Sequence, residues 1–132
     1  MNKFSTQSLE KLKTCEPELQ ELFHHVLQAH DCSILEGFRD ESTQNEYFNA
    51  TPQKSKVQYP DSKHNTYPSR AIDVAPYPIN WEDTKRFYYF AGIVKGIAVG
   101  LGLTIRWGGD WDSDTDLNDQ TFNDLVHYEV VD

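Results

Sequence analysis

The sequence predicts an α+β protein in which helices pack on a small, mostly antiparallel sheet, within one domain spanning residues 1–132. Apolar residues recur at helical spacing within the first thirty residues and again in one long segment of the second half, which predicts helices there. The other apolar segments are short and predict strands. The 132 residues contain no repeat or linker, and a soluble domain typically has ~100–150 residues. All of these elements are therefore expected to share one core.

Two helices are expected at the start of the chain. The first begins after Ser5 or Thr6 and continues through Leu12. The second begins at Pro17, because proline lacks the backbone N–H that is unpaired at the first helical position anyway. Its apolar side chains recur at helical spacing and predict one buried face, formed by Leu19, Leu22, Phe23, Val26 and Leu27.

The middle of the chain predicts short elements joined by polar loops. Residues 32–38 have apolar members and end near a glycine, which favours a strand, and Ser42 is expected to cap a short helix that reaches Phe48. Residues 51–60 are polar and flanked by prolines, which is typical of a loop. Residues 70–74 form a short run between prolines and predict another strand.

The second half predicts the longest helix and two further strands. The helix begins at Asp83 or Thr84, is terminated by Gly102, and has a core stripe of Phe87, Phe90, Val94, Ile97 and Leu101. Residues 103–107 and 126–131 predict strands on either side of an aspartate-rich loop. The tryptophans are expected to pack in the core, with stacking on a sugar or peptide as the alternative for Trp81, Trp107 and Trp111.

Composition argues against several classes of function. The formal net charge of −9 lacks the basic footprint that nucleic acids require, so no nucleic-acid partner is expected. The longest apolar stretch, residues 87–103, is shorter than the ~20 residues of a membrane span and contains glycines, so no membrane insertion is expected. The N-terminus lacks the apolar core of a signal peptide, which predicts synthesis in a cytoplasm. Cys15 and Cys32 are expected to be buried free thiols.

Among the histidines, His64 and His127 stand beside other residue types that bind metals or act in catalysis. His64 lies in a polar loop, and Asp73 follows inside an apolar strand. A carboxylate is costly to bury there unless a cation or a donor pairs with it. Arg70 or Lys63 can supply that cation, and a metal ion is the alternative.

The second group lies near the C-terminus, where Asp124 precedes His127 on the way into the last predicted strand. Because side chains alternate along a strand, His127 and Glu129 are expected to face the same side of the sheet. Two imidazoles and one carboxylate suit a catalytic zinc ion, which keeps its fourth position for water. Spacing alone does not decide between this metal site and a structural ion pair.

Several separated motifs resemble those of one family. The motifs are Ser62-x-His64, Ala71-x-Asp73 and Asp124-x-x-His127. They resemble the zinc peptidases that include D-Ala-D-Ala carboxypeptidases and dipeptidases and the phage L-alanyl-D-glutamate endopeptidases. Residues 36–39 with Gln44 are similar to the segment that carries that family's arginine, and residues 106–111 to its tryptophan–glycine turn. The resemblance spans about residues 33–129 and implies the fold shared by hedgehog and D-Ala-D-Ala peptidase domains.

The resemblance also implies a role for each matching residue. It implies that Zn²⁺ is bound by His64, Asp73 and His127. It implies that Asp124 is the general base and that Arg39 holds the scissile carbonyl and its oxyanion. Ser62 matches a family serine near the metal that helps to orient the substrate.

The chain departs from the family pattern at two places. The spacing between the first histidine and the aspartate is longer than usual, so residues 67–69 are expected to form a bulge in the loop. Val126 stands where a proline often precedes the final histidine. Neither departure removes a metal ligand.

A separate acidic loop carries carboxylates at alternate positions, at Asp112, Asp114 and Asp116, like the start of a calcium loop. Leu117 stands where the EF-hand pattern has glycine, and Asn123 where it has its bidentate glutamate. A solvated acidic loop is therefore the alternative to a Ca²⁺ ion that orders the segment leading to Asp124.

Together these inferences predict a phage-type endolysin that hydrolyses bacterial peptidoglycan stem peptides with zinc, at the L-alanyl-D-glutamate bond. The phage branch is favoured by residues 75–79 and by the turn at residues 107–111. The enzyme is expected to be a monomer that stays in the host cytoplasm until a separate holin-like protein lets it reach the cell wall. The alternatives are a D-Ala-D-Ala carboxypeptidase or dipeptidase, and a non-catalytic wall-binding module of the same fold.

Overall fold

The computed structural model describes residues 1–118 and 124–131, and its helices and strands confirm the predicted α+β class. The helices are α1 (Thr6–Leu12), α2 (Pro17–Ala29), α3 (Glu41–Asn49) and α4 (Thr84–Gly100), with a one-turn 3₁₀ helix at Lys63–Asn65. The strands are β1 (Cys32–Glu36), β2 (Ala71–Pro76), β3 (Ile105–Gly108) and β4 (Asp124–Val130). They form one sheet in the order β1-β2-β4-β3, in which every neighbouring pair is antiparallel.

The first two helices begin where the sequence predicts. The Ser5 hydroxyl caps α1 by accepting the N–H of Ser8 at 3.1 Å, and Pro17 occupies the first turn of α2. The predicted cap of α3 is wrong, because Asp40 and not Ser42 occupies that position. Asp40 has extended backbone and its Oδ1 accepts the N–H of Thr43 at 2.9 Å, whereas Ser42 already lies within the first helical turn.

The core lies between one face of the sheet and the helices α2 and α4. Ile72 and Tyr128 are partners across β2 and β4, and both are fully buried. The Tyr128 ring meets Phe23 of α2 at 5.6 Å and Phe90 of α4 at 6.4 Å, both edge to face. Burying one such large side chain contributes about 1.5–3 kcal/mol, so these contacts hold the sheet against the helices. Since side chains alternate along a strand, the neighbours of Ile72 and Tyr128 face the opposite side of the sheet.

The loop between the 3₁₀ helix and β2 contains residues 67–69, where a bulge is expected, and contacts the connection between α1 and α2. The Ser69 N–H donates to the Thr14 carbonyl at 2.8 Å, and the Glu16 N–H donates to the Ser69 carbonyl at 3.0 Å. These two bonds hold Ser69 against the connection between the helices shortly before β2 begins.

The start of β4 depends on a close approach of two backbones. β4 begins at Asp124, two residues earlier than predicted, and Asp124 pairs with Gly108 across an irregularity in the β3–β4 register. A Cβ atom at Gly108 would collide with the Asp124 carbonyl oxygen. Glycine is therefore required at this point for Asp124 to reach its position.

The prediction that the tryptophans pack in the core is confirmed for one of them. Trp107 is 5% exposed, and its Nε1–H donates to the Leu125 carbonyl at 2.9 Å. Trp81, in contrast, is 61% exposed, because it lies in the turn before α4 with its ring stacked on Phe87. Trp111 is partly exposed. Cys15 and Cys32 are free and buried, and burial raises the pKa of each thiol to about 12.

Within residues 1–118 and 124–131, no helix has both the length and the apolar character that a membrane span needs.

Candidate metal centre

Two of the predicted ligands are direct partners in the sheet. Asp73 of β2 lies opposite His127 of β4 in the antiparallel register, and both side chains face away from the core. The Asp73 Oδ1 lies 3.3 Å from the His127 Nδ1. His64 approaches the pair from the 3₁₀ helix, with its Nε2 3.2 Å from Asp73 Oδ1 and 3.2 Å from His127 Nδ1. The three atoms form a nearly equilateral triangle, and these residues form a site that can hold a metal ion.

The turn that carries His64 is held by a reciprocal cap. The Ser62 hydroxyl accepts the N–H of His64 at 3.2 Å, and the Asn65 Oδ1 accepts the N–H of Ser62 at 3.1 Å. On the other side, the His64 Nδ1 lies 2.7 Å from the Gly37 carbonyl oxygen. Because a carbonyl oxygen only accepts, Nδ1 carries the proton and Nε2 presents a lone pair to Asp73 and His127.

His127 is held in a corresponding way by Glu129, two residues along the same strand. The His127 Nε2 lies 2.8 Å from Glu129 Oε1. Lys63 Nζ and Arg106 Nη1 lie 3.3 and 3.4 Å from the other oxygen, Oε2. Burial alone would raise the pKa of Glu129, but its hydrogen bond with His127 and the nearby positive charges lower it. The ionised carboxylate therefore accepts a hydrogen bond from Nε2–H of His127, which leaves Nδ1 of that ring with a lone pair.

The centre of the triangle thus needs a positive charge. Two imidazole lone pairs and one carboxylate oxygen face one another, so either a proton or a cation must lie between them. Burial alone would lower the pKa of His127, but its hydrogen bonds with Asp73 and Glu129 raise it to about 9. Burial also disfavours the charged form of Asp73, yet its electrostatic and hydrogen-bonding interactions with the histidine pair hold the pKa of Asp73 below its usual range. A metal ion would replace the shared proton.

The cation beside Asp73 is Arg39, and not Arg70 or Lys63, which the sequence suggested as its partners. Lys63 contacts Glu129, as described above, and Arg70 Nη1 lies 3.4 Å from Glu16 Oε1. Arg39 Nη2 lies 3.7 Å from Asp73 Oδ2. A guanidinium and the candidate metal site therefore share the Asp73 carboxylate.

Arg39 is buried, at 7% exposure, and its guanidinium is fixed on several sides. Its Nε donates to Glu36 Oε1 at 2.7 Å, and its Nη2 contacts the same oxygen. Its Nη1 donates to Gln44 Oε1 at 2.9 Å, and the guanidinium carbon lies 4.6 Å from the centre of the Tyr47 ring. These contacts orient a permanent positive charge next to the metal site.

A cleft of about 590 Å³ opens over this triangle. All six predicted site residues line it: Arg39, Ser62, His64, Asp73, Asp124 and His127. Trp111 also lies on the wall, with its ring centre 5.2 Å from that of His127. Burial, together with the negative charge of Asp73, raises the pKa of Asp124 to about 6. A carboxylate whose pKa lies this close to neutrality can both accept and release a proton.

Sequence reasoning did not assign a role to several residues of the site. The Gly37 carbonyl orients His64, but a backbone group leaves no sequence signal. Glu36 and Tyr47 hold Arg39; the sequence places Glu36 in the family-like segment at residues 36–39 and gives no signal for Tyr47. For Glu129 the signal was present, since strand alternation already placed it beside His127.

The aspartate-rich loop forms consecutive local hydrogen bonds. Asp112 accepts the N–H of Asp114 at 3.3 Å, Asp114 accepts that of Asp116 at 2.8 Å, and Asp116 accepts that of Asn118 at 2.9 Å. The carboxylates that come within 4.8 Å of one another belong to Asp110, Asp112 and Asp114. The predicted twelfth position of a calcium loop, Asn123, lies outside the described residues. Such local turns are common for aspartates without an ion, so calcium stays a prediction.

Comparisons with known proteins agree on one family. Residues 1–131 match the sequence model of the phage L-alanyl-D-glutamate peptidase family. The L-alanyl-D-glutamate peptidase of Escherichia phage T5 is 34% identical over 140 aligned residues, which cover 98% of each chain. The crystal structure of the L-Ala D-Glu endopeptidase ChiX of Serratia marcescens has the same fold, with a TM-score of 0.75 at 23% identity. That match covers 98% of this chain and 91% of ChiX.

Proposed function

Since this chain belongs to the phage L-alanyl-D-glutamate peptidase family, we propose that it is a zinc-dependent endolysin that cleaves the L-alanyl-D-glutamate bond of peptidoglycan stem peptides. One observation carries the proposal. Two imidazole lone pairs and a carboxylate oxygen meet at 3.2–3.3 Å, while both imidazole protons are used elsewhere. Such a set of atoms is suited to a cation.

The spacing of the triangle supports zinc as that cation. A tetrahedral zinc ion with bonds of about 2.0–2.1 Å holds its ligand atoms about 3.3–3.4 Å apart. The separations here are 3.2, 3.2 and 3.3 Å. His64, Asp73 and His127 would therefore hold the ion with little movement, and three protein ligands are typical of a catalytic site. When bound, zinc supplies a Lewis acid and lowers the pKa of a coordinated water to about 7.

Asp124 is the proposed general base. It lines the cleft with the three ligands, and its pKa of about 6 leaves it mostly ionised at neutral pH. It accepts the proton of the attacking water and then delivers it to the amine that leaves. The same carboxylate thus acts first as a base and then as an acid.

Arg39 is the proposed oxyanion partner. Glu36 and Gln44 hold its guanidinium in one orientation before any substrate arrives. Charge that develops on the carbonyl oxygen of the scissile bond is stabilised by a cation already in place, an effect typically worth a few kcal/mol. Ser62 caps the turn of His64 and lines the cleft, so we propose that it holds this ligand and forms part of the wall on which substrate lies.

Two substitutions test the assignments. Asp124→Asn is expected to retain zinc but lose turnover, because the ligands remain while the base is gone. His127→Ala is expected to lose both zinc and turnover. The measurements are zinc content per chain and mass spectrometry of digested muropeptides, with Asp83→Asn as a control that removes a carboxylate outside the cleft lining. Hydrolysis by a metal-free His127→Ala preparation would contradict the proposal.

The same product analysis distinguishes the alternatives. Release of terminal D-alanine from intact stem peptides would indicate a D-Ala-D-Ala carboxypeptidase or dipeptidase. Absence of any cleavage by the zinc-loaded protein would indicate a wall-binding module. The family match favours a new amino terminus at D-glutamate.

The biological setting completes the proposal. We propose a monomer that remains in the host cytoplasm until a holin-like protein gives it access to peptidoglycan, as the phage origin of the family suggests. Sedimentation velocity tests the monomer. Expression with and without a membrane-permeabilising protein tests the route, since lysis in both cases would contradict it.

We also propose that a calcium ion at Asp112, Asp114 and Asp116 orders the segment that leads to Asp124. A chelator that removes calcium but is too weak to strip zinc is expected to lower activity if calcium orders the segment before Asp124. Unchanged activity would remove calcium from the proposal and leave the zinc assignment untouched.

A further inference from the structure

We propose that the groove formed by Trp81, Phe87, Leu125 and Val126, beside Asp124, binds the neutral sugar to which the stem peptide is attached. This inference rests on the proposed function, because it extends the substrate beyond the bond that is cut. It assigns a role to Trp81, for which the sequence favours core packing and leaves stacking on a sugar or peptide as the alternative, and which the structure places at the surface.

The groove has the character of a sugar subsite. It has a volume of about 250 Å³, and of the described residues that line it only Asp124 is charged. The Trp81 ring lies on the Phe87 ring with centres 5.6 Å apart and planes inclined by 17°. Phe87 is 2% exposed whereas Trp81 is 61% exposed, so the indole is supported by the core yet open to solvent. A rigid, amphipathic aromatic surface of this kind suits stacking against the apolar face of a neutral sugar.

The groove and the catalytic cleft share one lining residue. Asp124 lines both, and Leu125 and Val126, which line the groove, follow it on β4. A substrate whose scissile bond lies near Asp124 can therefore reach both the cleft and the aromatic groove.

Charge identifies which end of the substrate lies there. The lining of the cleft, unlike that of the groove, includes the exposed residues Lys54 and Lys56, together with one exposed carboxylate, Asp61, although the chain has a net charge of −9. On a stem peptide, the portion from D-glutamate onwards carries free carboxylates, whereas L-alanine is joined to a neutral, N-acetylated sugar. The lysines match the acidic portion and the aromatic groove matches the sugar, so electrostatics favours one direction of binding.

The test compares two substrates, a stem peptide linked to its sugar and the same peptide without the sugar. For each enzyme the measured quantity is the ratio of kcat/KM for the sugar-linked peptide to kcat/KM for the free peptide. Trp81→Ala is expected to lower this ratio about fivefold, the size of one aromatic stacking contact. Trp81→Tyr, which keeps a ring, is expected to restore most of it.

Tyr89→Ala is the matched control. Tyr89 is 69% exposed on α4 and lies outside the lining of the groove, so its removal is expected to leave the ratio unchanged. A ratio that Trp81→Ala leaves unchanged, or that Tyr89→Ala lowers equally, would overturn the sugar subsite while leaving the peptidase assignment intact. Failure of the wild-type protein to cut either substrate would instead overturn the proposed function, and the subsite with it.

Discussion

Replacing Glu129 with glutamine is expected to weaken zinc binding about tenfold while leaving the fold intact. Glu129 Oε1 accepts a hydrogen bond from Nε2–H of His127 at 2.8 Å and so directs Nδ1 of that ring towards Asp73. Glutamine keeps the shape and one accepting oxygen but removes the negative charge. Lys63 and Arg106, which now pair with Glu129, would then lie near the metal site without that charge to offset them.

The magnitude follows from the kind of hydrogen bond that is lost. A hydrogen bond to a charged group contributes about 1.5–3 kcal/mol, and one between neutral groups about 0.5–1.5 kcal/mol. The difference, roughly 1.4 kcal/mol, corresponds to a factor of about ten in an equilibrium constant. Loss of the outer partner of a ligating histidine typically costs ~10–100-fold in metal affinity, so a conservative change should fall at the lower end.

The assay is competition for zinc between the metal-free protein and a colorimetric chelator, at a fixed pH of about 7.5, where an ordinary carboxyl group is ionised. Circular dichroism verifies that each variant is folded. Glu10→Gln provides the matched control, since it makes the same change in net charge at an exposed position of α1. An affinity for Glu129→Gln within about twofold of the control, far short of the expected loss, would refute the argument that Glu129 orients His127.

Further predictions concern protons and packing. Zinc binding at pH 7 is expected to release about one proton, because His127, with a pKa of about 9, is protonated in the metal-free protein. Calorimetry in buffers of different ionisation enthalpy measures the number of protons released. Binding without proton release would contradict a proton shared between the ligands. Because the pKa of His127 is raised in the fold, its protonation stabilises the metal-free protein fully below pH ~6.5, and this stabilisation is lost as the pH rises through about 9. The Tm of the metal-free protein should therefore fall between pH ~7 and pH ~9.5. The Tm of the zinc-loaded protein should fall less over the same range. Gly37→Ala is expected to lower the free energy of unfolding by about 1–3 kcal/mol, because its Cβ would lie 2.6 Å from the Lys11 carbonyl oxygen and would also strike Thr14. Gly92→Ala, on α4 with no atom within 4 Å of the added Cβ, should instead raise the free energy of unfolding by about 0.5–1 kcal/mol. Urea denaturation measures both variants, and equal changes in the free energy of unfolding would contradict both predictions.

Much of the site could be predicted because its residues carry their chemistry in their side chains. His64 and His127 stand beside other metal-binding or catalytic residue types, and Asp73 interrupts an apolar strand, so the residues themselves indicate a possible metal site; their individual roles follow from the family resemblance. The alternation of a strand also placed His127 and Glu129 on one face, as the structure confirms. These inferences needed only local periodicity.

The parts that could not be predicted depend on tertiary placement. The pairing of Asp73 with His127 is a matter of register between strands far apart in the chain. The sequence favours Ser42 as the cap of α3 although Asp40 occupies that position, because both residue types cap helices well and only the start of the helix decides between them. Hydrophobicity favours the core for Trp81, but the turn before α4 holds this residue outside it, where the alternative of stacking on a ligand stays open.

Because Asp73 and His127 are direct partners in the sheet, the amount of metal bound per chain reports whether β2 and β4 are paired in the correct register. A slip of β4 by one residue along β2 would turn His127 towards the helices and bring Tyr128 or Val126 opposite Asp73. A slip by two would restore the face but separate the ligands by about 7 Å, beyond the span of one ion. Neither slip leaves a site that binds the ion with reduced affinity, because in each case a ligand is lost from the site. A preparation that contains misregistered molecules should therefore bind fewer ions per chain at undiminished strength, and stoichiometry would count the correctly folded fraction.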